Sequence, residues 1–288
     1  HGEPASLNEF IRRMKSMNLP NSVFIDNSAS AEVVKHYEEI FTSSISIVTC
    51  NKIGNSSEYS LYKRFKDAVK KYGVDFFYET NVGAGLPIIS TLHDLLVSGD
   101  KILKIEAILS GTISFIFNEF KGNRHFYEIV REAQVKGYTE PDPRDDLSGL
   151  DFMRKMLILA RDSGYAVEMS DVEMEPILPE SCLKAPTVEA FYKALEEADE
   201  HFEALKRKAE AEGKVLRYIG VMDQGKVSIK LHAIDASHPF YFLTGSDNII
   251  AFTTPRYRDC PLVVKGPGAG AEVTAAGVFA DLVKVGAQ

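Results

Sequence analysis

Long hydrophobic runs are absent from this sequence. No apolar stretch approaches the roughly 18 residues that a membrane-spanning helix requires, so we expect no membrane contact. The opening residues, HGEPASLNEF, lack the apolar segment of a secretory signal peptide. The three cysteines, Cys50, Cys182 and Cys260, are odd in number and widely spaced. This pattern predicts free thiols in a reducing, cytoplasmic compartment, without a disulfide framework or a zinc signature.

An excess of basic residues is also absent. The 33 Lys and Arg against 41 Asp and Glu leave a formal net charge of −8. An acidic chain of this kind argues against nucleic acid as the main partner. The length of 288 residues and the hydrophobic fraction of 45% predict one large or two medium globular domains.

Motifs of several enzyme classes are missing. The chain has no P-loop, no G-x-S-x-G and no Cys-x-x-Cys, which weakens kinase, hydrolase and thioredoxin-like interpretations. Residues 266–271, GPGAGA, have the spelling of a dinucleotide-binding turn, but only 17 residues follow Ala271. A complete βαβ unit takes ~30 residues. We therefore interpret this segment as a loop with close backbone approach, which could contact a cofactor from the side.

The first part of the chain alternates between strand and helix patterns. Apolar runs predict strands at 23–26, 45–50 and 76–78, and apolar residues at helical spacing predict helices at 7–14, 31–41 and 58–72. Such alternation indicates a parallel sheet with right-handed crossovers. Ligands bind beyond the carboxyl ends of strands in these sheets, where the sequence has DNS, NK and ETN.

From Pro87 onward the pattern predicts a mixed α/β region. The predicted helices span 87–97, 113–120, 126–136, 147–163, 188–211 and 274–285. The predicted strands span 102–110, 215–221, 227–234, 248–253 and 262–265, and the second and third of them form a hairpin around the turn DQG. The boundary between the two regions is best placed near Leu86.

The most informative stretch is GYTEPDPRDDLSGLDFMRK at 137–155, where five carboxylates accompany a proline-stiffened turn. Asp145 or Asp146 is expected to cap the following helix. Asp151 and Lys155 are spaced i,i+4 on that helix, as an ordinary surface pair would also be. Their neighbours are apolar, which predicts a buried helix, and buried paired charges cluster at functional sites. A solvated loop with a helix cap remains the alternative.

Two further segments carry open alternatives. Lys52 follows a predicted strand at the presumed ligand-binding edge, where a solvated surface lysine and a functional lysine are both compatible with the pattern. The segment VGAGLP at 82–87 has the composition of a structural turn. Its functional alternative is a cage of main-chain carbonyl oxygens for a cation.

Taken together, these stretches resemble the homoserine dehydrogenase family. The resemblance rests on VTCNK at 48–52, YETNVGAGLPII at 78–89, GDKILKIEAILSGTISFIFN at 99–118, the run at 137–161 and GPGAGAEVTAAGVFADL at 266–282. DVEMEPILPE at 171–180 and GKVLRYIG at 213–220 look most like the dehydrogenase portion of bifunctional aspartokinase–homoserine dehydrogenases. The resemblance implies reversible reduction of L-aspartate 4-semialdehyde to L-homoserine with NADP(H) or NAD(H). It also implies at least a homodimer, and an aspartokinase domain in the full-length chain.

The resemblance also implies roles for individual residues. Glu140 and Asp151 would hold the substrate, Asp146 would support its amine, and Lys155 would be the general acid and base. Lys52 would lie between cofactor and substrate as a second candidate for proton transfer. Two further groups are implied, an NADP(H) contact set and a set of main-chain carbonyls for Na⁺: Ser28, Lys52 and Gly270 for the first, and Glu79, Val82, Ala84 and Leu86 for the second.

The implied fold is a partial Rossmann-like parallel sheet plus a mixed α/β domain for substrate binding and dimerisation. We expect a truncated nucleotide-binding domain at 1–86, a catalytic domain at 87–262 and a segment at 263–288 that returns to the first domain. The family's glycine-rich turn near the N-terminus has no counterpart here, which predicts a fragment. The alternative function is therefore a non-catalytic dimerisation and substrate-binding module.

Overall fold

The computed structural model describes residues 5–287 and contains two β-sheets. The first sheet has three parallel strands in the order β1-β2-β3. Its strands are β1 (Val23–Asp26), β2 (Ser46–Thr49) and β3 (Phe76–Phe77). Its helices are α1 (Leu7–Met17), α2 (Ala31–Val34), α3 (Tyr37–Thr42), α4 (Ile53–Ser56) and α5 (Tyr59–Tyr72).

The second sheet has six strands in the order β5-β7-β6-β4-β8-β9, antiparallel except for the β5–β7 pair. Its strands are β4 (Lys104–Ile108), β5 (Glu173–Met174), β6 (Val215–Asp223), β7 (Lys226–Ile234), β8 (Asp247–Thr253) and β9 (Leu262–Pro267). The remaining helices are α6 (Ile88–Val97), α7 (Gly111–Glu119), α8 (Phe126–Val135), α9 (Pro143–Leu147), α10 (Leu150–Asp162), α11 (Glu180–Leu183), α12 (Val188–Glu197), α13 (Asp199–Ala211) and α14 (Ala271–Gly286). The α/β fold class is confirmed, with one parallel and one mixed sheet.

Burial explains why the first sheet forms where it does. All four residues of β2 are buried, as expected for a central parallel strand covered on both faces. The rings of Tyr37, Phe41, Phe65 and Phe76 pack against one another beside it, with centroids 5.2–6.2 Å apart. The Tyr37 hydroxyl donates to Asp26 at 2.6 Å, so the aromatic core also supports the carboxyl end of β1.

Three helices predicted as continuous are each broken in two. The predicted helix at 31–41 turns at Lys35 and His36, the one at 147–163 breaks at Ser148 and Gly149, and the one at 188–211 bends at Ala198. Gly149 has φ +74°, a left-handed conformation that ends a helix. Periodicity missed these breaks because apolar residues keep helical spacing on both sides of each one.

The predicted capping of the acidic segment is wrong. Asp142 is the N-cap of α9, and its carboxylate accepts the N–H of Arg144 at 3.0 Å. Asp145 and Asp146 lie inside α9, in its first turn. Pro143 also lies within this helix, at the first helical position, where no N–H is required.

Helix α14 returns to the first sheet. The buried carboxylate of Asp281 accepts the backbone N–H of Glu79 at 2.8 Å, just after β3. The preceding strand β9 pairs with β8 in the second sheet, so residues 262–286 connect the two sheets. The domain boundaries at 86 and 262 stay predictions. No helix within residues 5–287 is both long and apolar enough to cross a membrane.

Candidate active site

A cavity of about 590 Å³ lies between the acidic segment and the carboxyl end of β2. Residues that follow β2 and β3, helices α9 and α10, and the loop before α14 all contribute to its walls. This is the edge where a parallel sheet of this kind binds ligands. The charged lining residues are Lys52, Glu140, Asp145, Asp146, Asp151, Arg154 and Lys155.

Asp151 lies between two lysines that line the cavity with it. Its Oδ2 is 2.8 Å from Nζ of Lys155 and its Oδ1 is 3.2 Å from Nζ of Lys52. The Asp151 side chain is 52% exposed, so the prediction that it is buried is wrong; only Lys155 is buried. Partial desolvation acts to raise the pKa of Asp151. The two ammonium groups outweigh that effect and hold the pKa at about 2.

The Lys155 ammonium is held from two sides. It donates to Asp151 and to the main-chain carbonyl of Leu109, the latter at 2.7 Å. An ammonium has three donors, so one remains for a ligand. Burial lowers the pKa of Lys155, Asp151 acts against this, and the charge of Lys52 adds to the lowering. The group is therefore more readily deprotonated than an ordinary lysine.

Glu140 and Asp146 form one side of the cavity, the acidic wall, and Asp146 makes the hydrogen bonds that hold it in place. Its carboxylate accepts the Thr112 hydroxyl at 3.0 Å and the backbone N–H of Glu140 at 2.8 Å. Burial raises the pKa of Asp146, and these two hydrogen bonds act in the opposite direction. The same contacts place the Glu140 side chain at the cavity wall, so the proline-stiffened turn positions two carboxylates on one side of the cavity.

The cavity brings together most, though not all, of the predicted site residues. Those that line it are Lys52, Ala84, Glu140, Asp146, Asp151, Lys155 and Gly270. Ser28 lies at the end of β1, where its hydroxyl donates to Asp26 at 2.6 Å, and it is not among the lining residues. Glu79, Val82 and Leu86 also lie outside the lining set.

The predicted carbonyl cage falls in the turn between β3 and α6. The carbonyl of Leu86 accepts the N–H of Ile88 at 2.8 Å, and that of Glu79 accepts the N–H of Val82 at 3.3 Å. The Glu79 carboxylate caps α6 by accepting the N–H of Ile89 at 2.7 Å. The sequence interpretation missed this capping role, and the cation site stays a prediction.

Sequence reasoning also missed several residues at the cavity. Arg154 lines it, one position before Lys155 and three after Asp151, so the helical period could have found it. Gly268, in contrast, belongs to the loop at 266–271 that the sequence predicts to approach other backbone closely. It lines the cavity, and a Cβ there would lie 1.9 Å from the buried side-chain amide of Asn248. No local signal identifies Asn248, because its contact depends on the pairing of β8 with β9.

Comparison with known proteins identifies the family. The sequence profile described as homoserine dehydrogenase matches residues 87–283. The chloroplastic bifunctional aspartokinase/homoserine dehydrogenase 1 of Zea mays is 48% identical over 286 residues, which cover 98% of this chain and 31% of that protein. The homoserine dehydrogenase of Schizosaccharomyces pombe is 44% identical over 291 residues, covering 98% of this chain and 77% of that protein. The chain thus spans about a third of the length of the plant relative.

Solved structures agree with this result. A Candida auris protein of unknown function has a TM-score of 0.95 and 38% identity, covering 100% of this chain and 82% of that one. A mutant of a hyperthermophilic archaeal homoserine dehydrogenase in complex with NADPH has a TM-score of 0.75 and 26% identity, covering 99% of this chain and 76% of that one. The fold and the profile match define a chain of the α/β dehydrogenase class. The chain belongs to the homoserine dehydrogenase family.

Proposed function

We propose that this chain catalyses the reversible interconversion of L-aspartate 4-semialdehyde and L-homoserine with NADP(H) or NAD(H). The observation that carries the proposal is the buried Lys155 ammonium, which is fixed by Asp151 and the Leu109 carbonyl and has one donor left for a ligand in the cavity. Family membership supports the substrate pair, and the complex of the archaeal relative with NADPH supports the cofactor.

Lys155 acts as general acid and base in this proposal. In the reducing direction, its ammonium donates a proton to the substrate oxygen as negative charge develops there. In the oxidising direction, the neutral amine accepts the hydroxyl proton. Asp151 holds the ammonium in place at 2.8 Å, and Lys52 contacts the other oxygen of the same carboxylate as the second candidate for proton transfer.

The acidic wall suits the ammonium group of an amino-acid substrate. Glu140 and Asp146 lie together on it, and Asp151, which also lines the cavity, contacts the two lysines. Charge-assisted hydrogen bonds from the substrate ammonium to these carboxylates would orient the reacting end of the substrate toward Lys155. The wall thereby aligns substrate without taking part in the proton transfer.

The loop before α14 fits a flat cofactor beside the substrate. Gly268 and Gly270 present bare backbone to the cavity, and Asn248 behind Gly268 has buried amide atoms without a hydrogen-bond partner within residues 5–287. We assign Gly270, Lys52 and Ser28 to cofactor contact. When bound, the dinucleotide supplies or accepts the hydride.

Three wider assignments accompany the proposal. We propose a Na⁺ site from the carbonyls of Glu79, Val82, Ala84 and Leu86, supported by the burial of residues 79–84 and by Ala84 at φ +52°. We propose a homodimer or larger homo-oligomer, and an aspartokinase domain in the same full-length protein, as in the name of the maize relative. A cytoplasmic location is supported by the three free cysteines.

The test compares the wild-type chain with Lys155→Met. The wild type should form NADPH from NADP⁺ only when L-homoserine is present, and Lys155→Met should lower kcat by about 100-fold or more, since general acid–base groups contribute on the order of 10²–10⁴. Lys184→Met is the matched control, because that lysine is 75% exposed and its ammonium pairs with Glu180 alone among residues 5–287. Its turnover should equal that of the wild type.

Calorimetric titration with L-homoserine separates this function from its alternative. Binding of L-homoserine by the wild-type chain without any turnover would contradict the proposed dehydrogenase activity. It would favour a non-catalytic substrate-binding module. Near-normal turnover in Lys155→Met would instead support the proposed activity but contradict the role of Lys155 as general acid and base.

A further inference from the structure

Some charged side chains of the cavity form ion pairs with other residues. Others are uncommitted, meaning that they have no such partner among residues 5–287. Lys52 and Lys155 both pair with the carboxylate of Asp151. The side chains of Glu140, Asp145 and Arg154 line the same cavity and make no hydrogen bond or ion pair with any residue between 5 and 287. A cavity with one uncommitted cation and two uncommitted anions is complementary to a ligand that carries both signs of charge.

Helix geometry places Arg154 in this cavity. The face of α10 that carries Leu150 and Asp151 borders the cavity, and Arg154 follows them by one helical turn. The opposite face is buried in the core through Phe152 and Met156. Arg154 is partly buried as a residue, and its guanidinium has no ionic partner within the described chain.

We infer that Arg154 binds the α-carboxylate of the amino-acid substrate and so selects for a zwitterionic ligand. This inference rests on the proposed function. It assigns a binding residue to the substrate α-carboxylate, the one charged group of the substrate that the proposed function leaves without a partner. A guanidinium is suited to a carboxylate because its planar fork can donate two parallel hydrogen bonds. The two lysines are less suited, because Asp151 already engages both ammonium groups.

The anion could also be a cofactor phosphate, which has the same hydrogen-bonding chemistry. The neighbouring charges favour the substrate carboxylate. Glu140 and Asp145 are uncommitted carboxylates in the same cavity and would repel a dianionic phosphate, whereas they would attract the ammonium group of an α-amino acid. One ligand with adjacent ammonium and carboxylate groups would match the charges of all three side chains.

The test pairs two variants with two substrates. Arg154→Met removes the charge, and Arg154→Lys retains the charge without the fork. L-homoserine is compared with L-homoserinamide, which has the same hydroxyl and ammonium groups but a neutral amide in place of the carboxylate. KM and kcat are measured for both substrates, and KM is measured for NADP⁺, in the full chain.

Arg154→Met should raise KM for L-homoserine about 10- to 100-fold, since hydrogen bonds to charged groups are of that strength. The value of kcat should change much less, because a carboxylate remote from the reacting carbon is bound equally in ground and transition states. KM for L-homoserinamide and for NADP⁺ should not change. Arg154→Lys should give an intermediate KM for L-homoserine.

Arg64→Met is the matched control, since that arginine is 61% exposed on α5 and faces Glu38 rather than the cavity. It should reproduce the wild-type constants. An unchanged KM for L-homoserine in Arg154→Met would overturn the inference. A raised KM for NADP⁺, with equal effects on both substrates, would overturn it in favour of a phosphate contact.

Direct binding distinguishes failure of this inference from failure of the proposed function. If calorimetry shows that wild-type chain binds L-homoserine and Arg154→Met does not, the inference holds even when neither forms NADPH. If both bind and turn over L-homoserine equally, the dehydrogenase function holds and the inference is overturned. If the wild type binds no L-homoserine at all, both are overturned.

Discussion

At the scale of single residues, Asp151 is the group on which the site depends most. One carboxylate contacts both Lys52 and Lys155, which lie 2.8–3.2 Å from its two oxygens. Its negative charge raises the pKa of Lys155, whereas burial and the positive charge of Lys52 both lower that pKa. The proton affinity of Lys155 is therefore set by a balance that a single substitution can change.

Under the proposed function, Asp151→Asn should move the pH dependence of homoserine oxidation to lower pH. Burial has already lowered the pKa of Lys155 below its usual value, and Asp151 raises it. Removal of that negative charge lowers the pKa further, so the neutral amine forms at lower pH. The measurement is the midpoint of the rising limb of kcat against pH, taken on the residual turnover.

The control for this experiment is Asp67→Asn, an exposed aspartate that pairs with Lys63 on α5. Its profile should coincide with that of the wild type. A limb in Asp151→Asn that stays in place or moves to higher pH would contradict the assignment of that limb to Lys155.

At the scale of elements, the break between α9 and α10 decides how the acidic segment meets the lysine-bearing helix. Gly149 has φ +74°, and a Cβ there would lie 2.9 Å from the sulfur of Met174. The chain therefore changes direction at a position that is short of space as well as left-handed. Asp145 and Asp146 of α9 and Asp151 of α10 can then face one cavity.

Gly149→Ala should destabilise the protein more than Gly137→Ala. Both glycines have nearly the same φ, +74° and +72°, so the left-handed conformation costs about 1–2 kcal/mol in each. Only Gly149 adds an overpacking cost, because nothing lies within 4 Å of a Cβ at Gly137. The thioether of Met174 is flexible and can move aside, so we expect this added cost at the low end of the roughly 1–3 kcal/mol typical of overpacking. Urea unfolding of both variants measures the difference, and equal losses would contradict the contact with Met174.

At the scale of the whole molecule, α14 connects the second sheet to the first. Asp281 is buried, accepts the Glu79 N–H at 2.8 Å and lies 2.9 Å from Lys284. The turn that follows β3 is thus held by a helix about 200 residues further along the chain. Loss of this contact would free the segment that carries the predicted carbonyl cage.

Asp281→Ala should lower the free energy of unfolding by about 1–3 kcal/mol, because it leaves a buried N–H without an acceptor. Thermal unfolding measures the effect. Glu272→Ala is the control, since that residue is exposed in the first turn of the same helix and makes no ion pair within residues 5–287. Equal melting temperatures for Asp281→Ala and the control would show that this contact does not hold α14 in place.

Much of the local structure followed from pattern. The β6–β7 hairpin was predicted from two apolar runs around Asp223, Gln224 and Gly225, and the two strands pair through that turn. Strand β1 was predicted with its observed bounds because an apolar run ended at polar residues. The helix breaks were not predicted, since a left-handed residue such as Gly149 does not disturb the apolar period around it.

By itself, the sequence determined most of the longer helices and strands, and it determined the contact between two side chains of one helix. Asp151 and Lys155 had to meet because residues four apart lie on one helical face, whatever the rest of the chain did. Only the tertiary structure decided that Lys52 reaches the same carboxylate, that Leu109 fixes the ammonium and that Arg154 has no ionic partner in the described chain. The physical reason is distance along the chain: helical geometry sets contacts within a turn, whereas packing of the two sheets sets contacts between residues far apart in sequence.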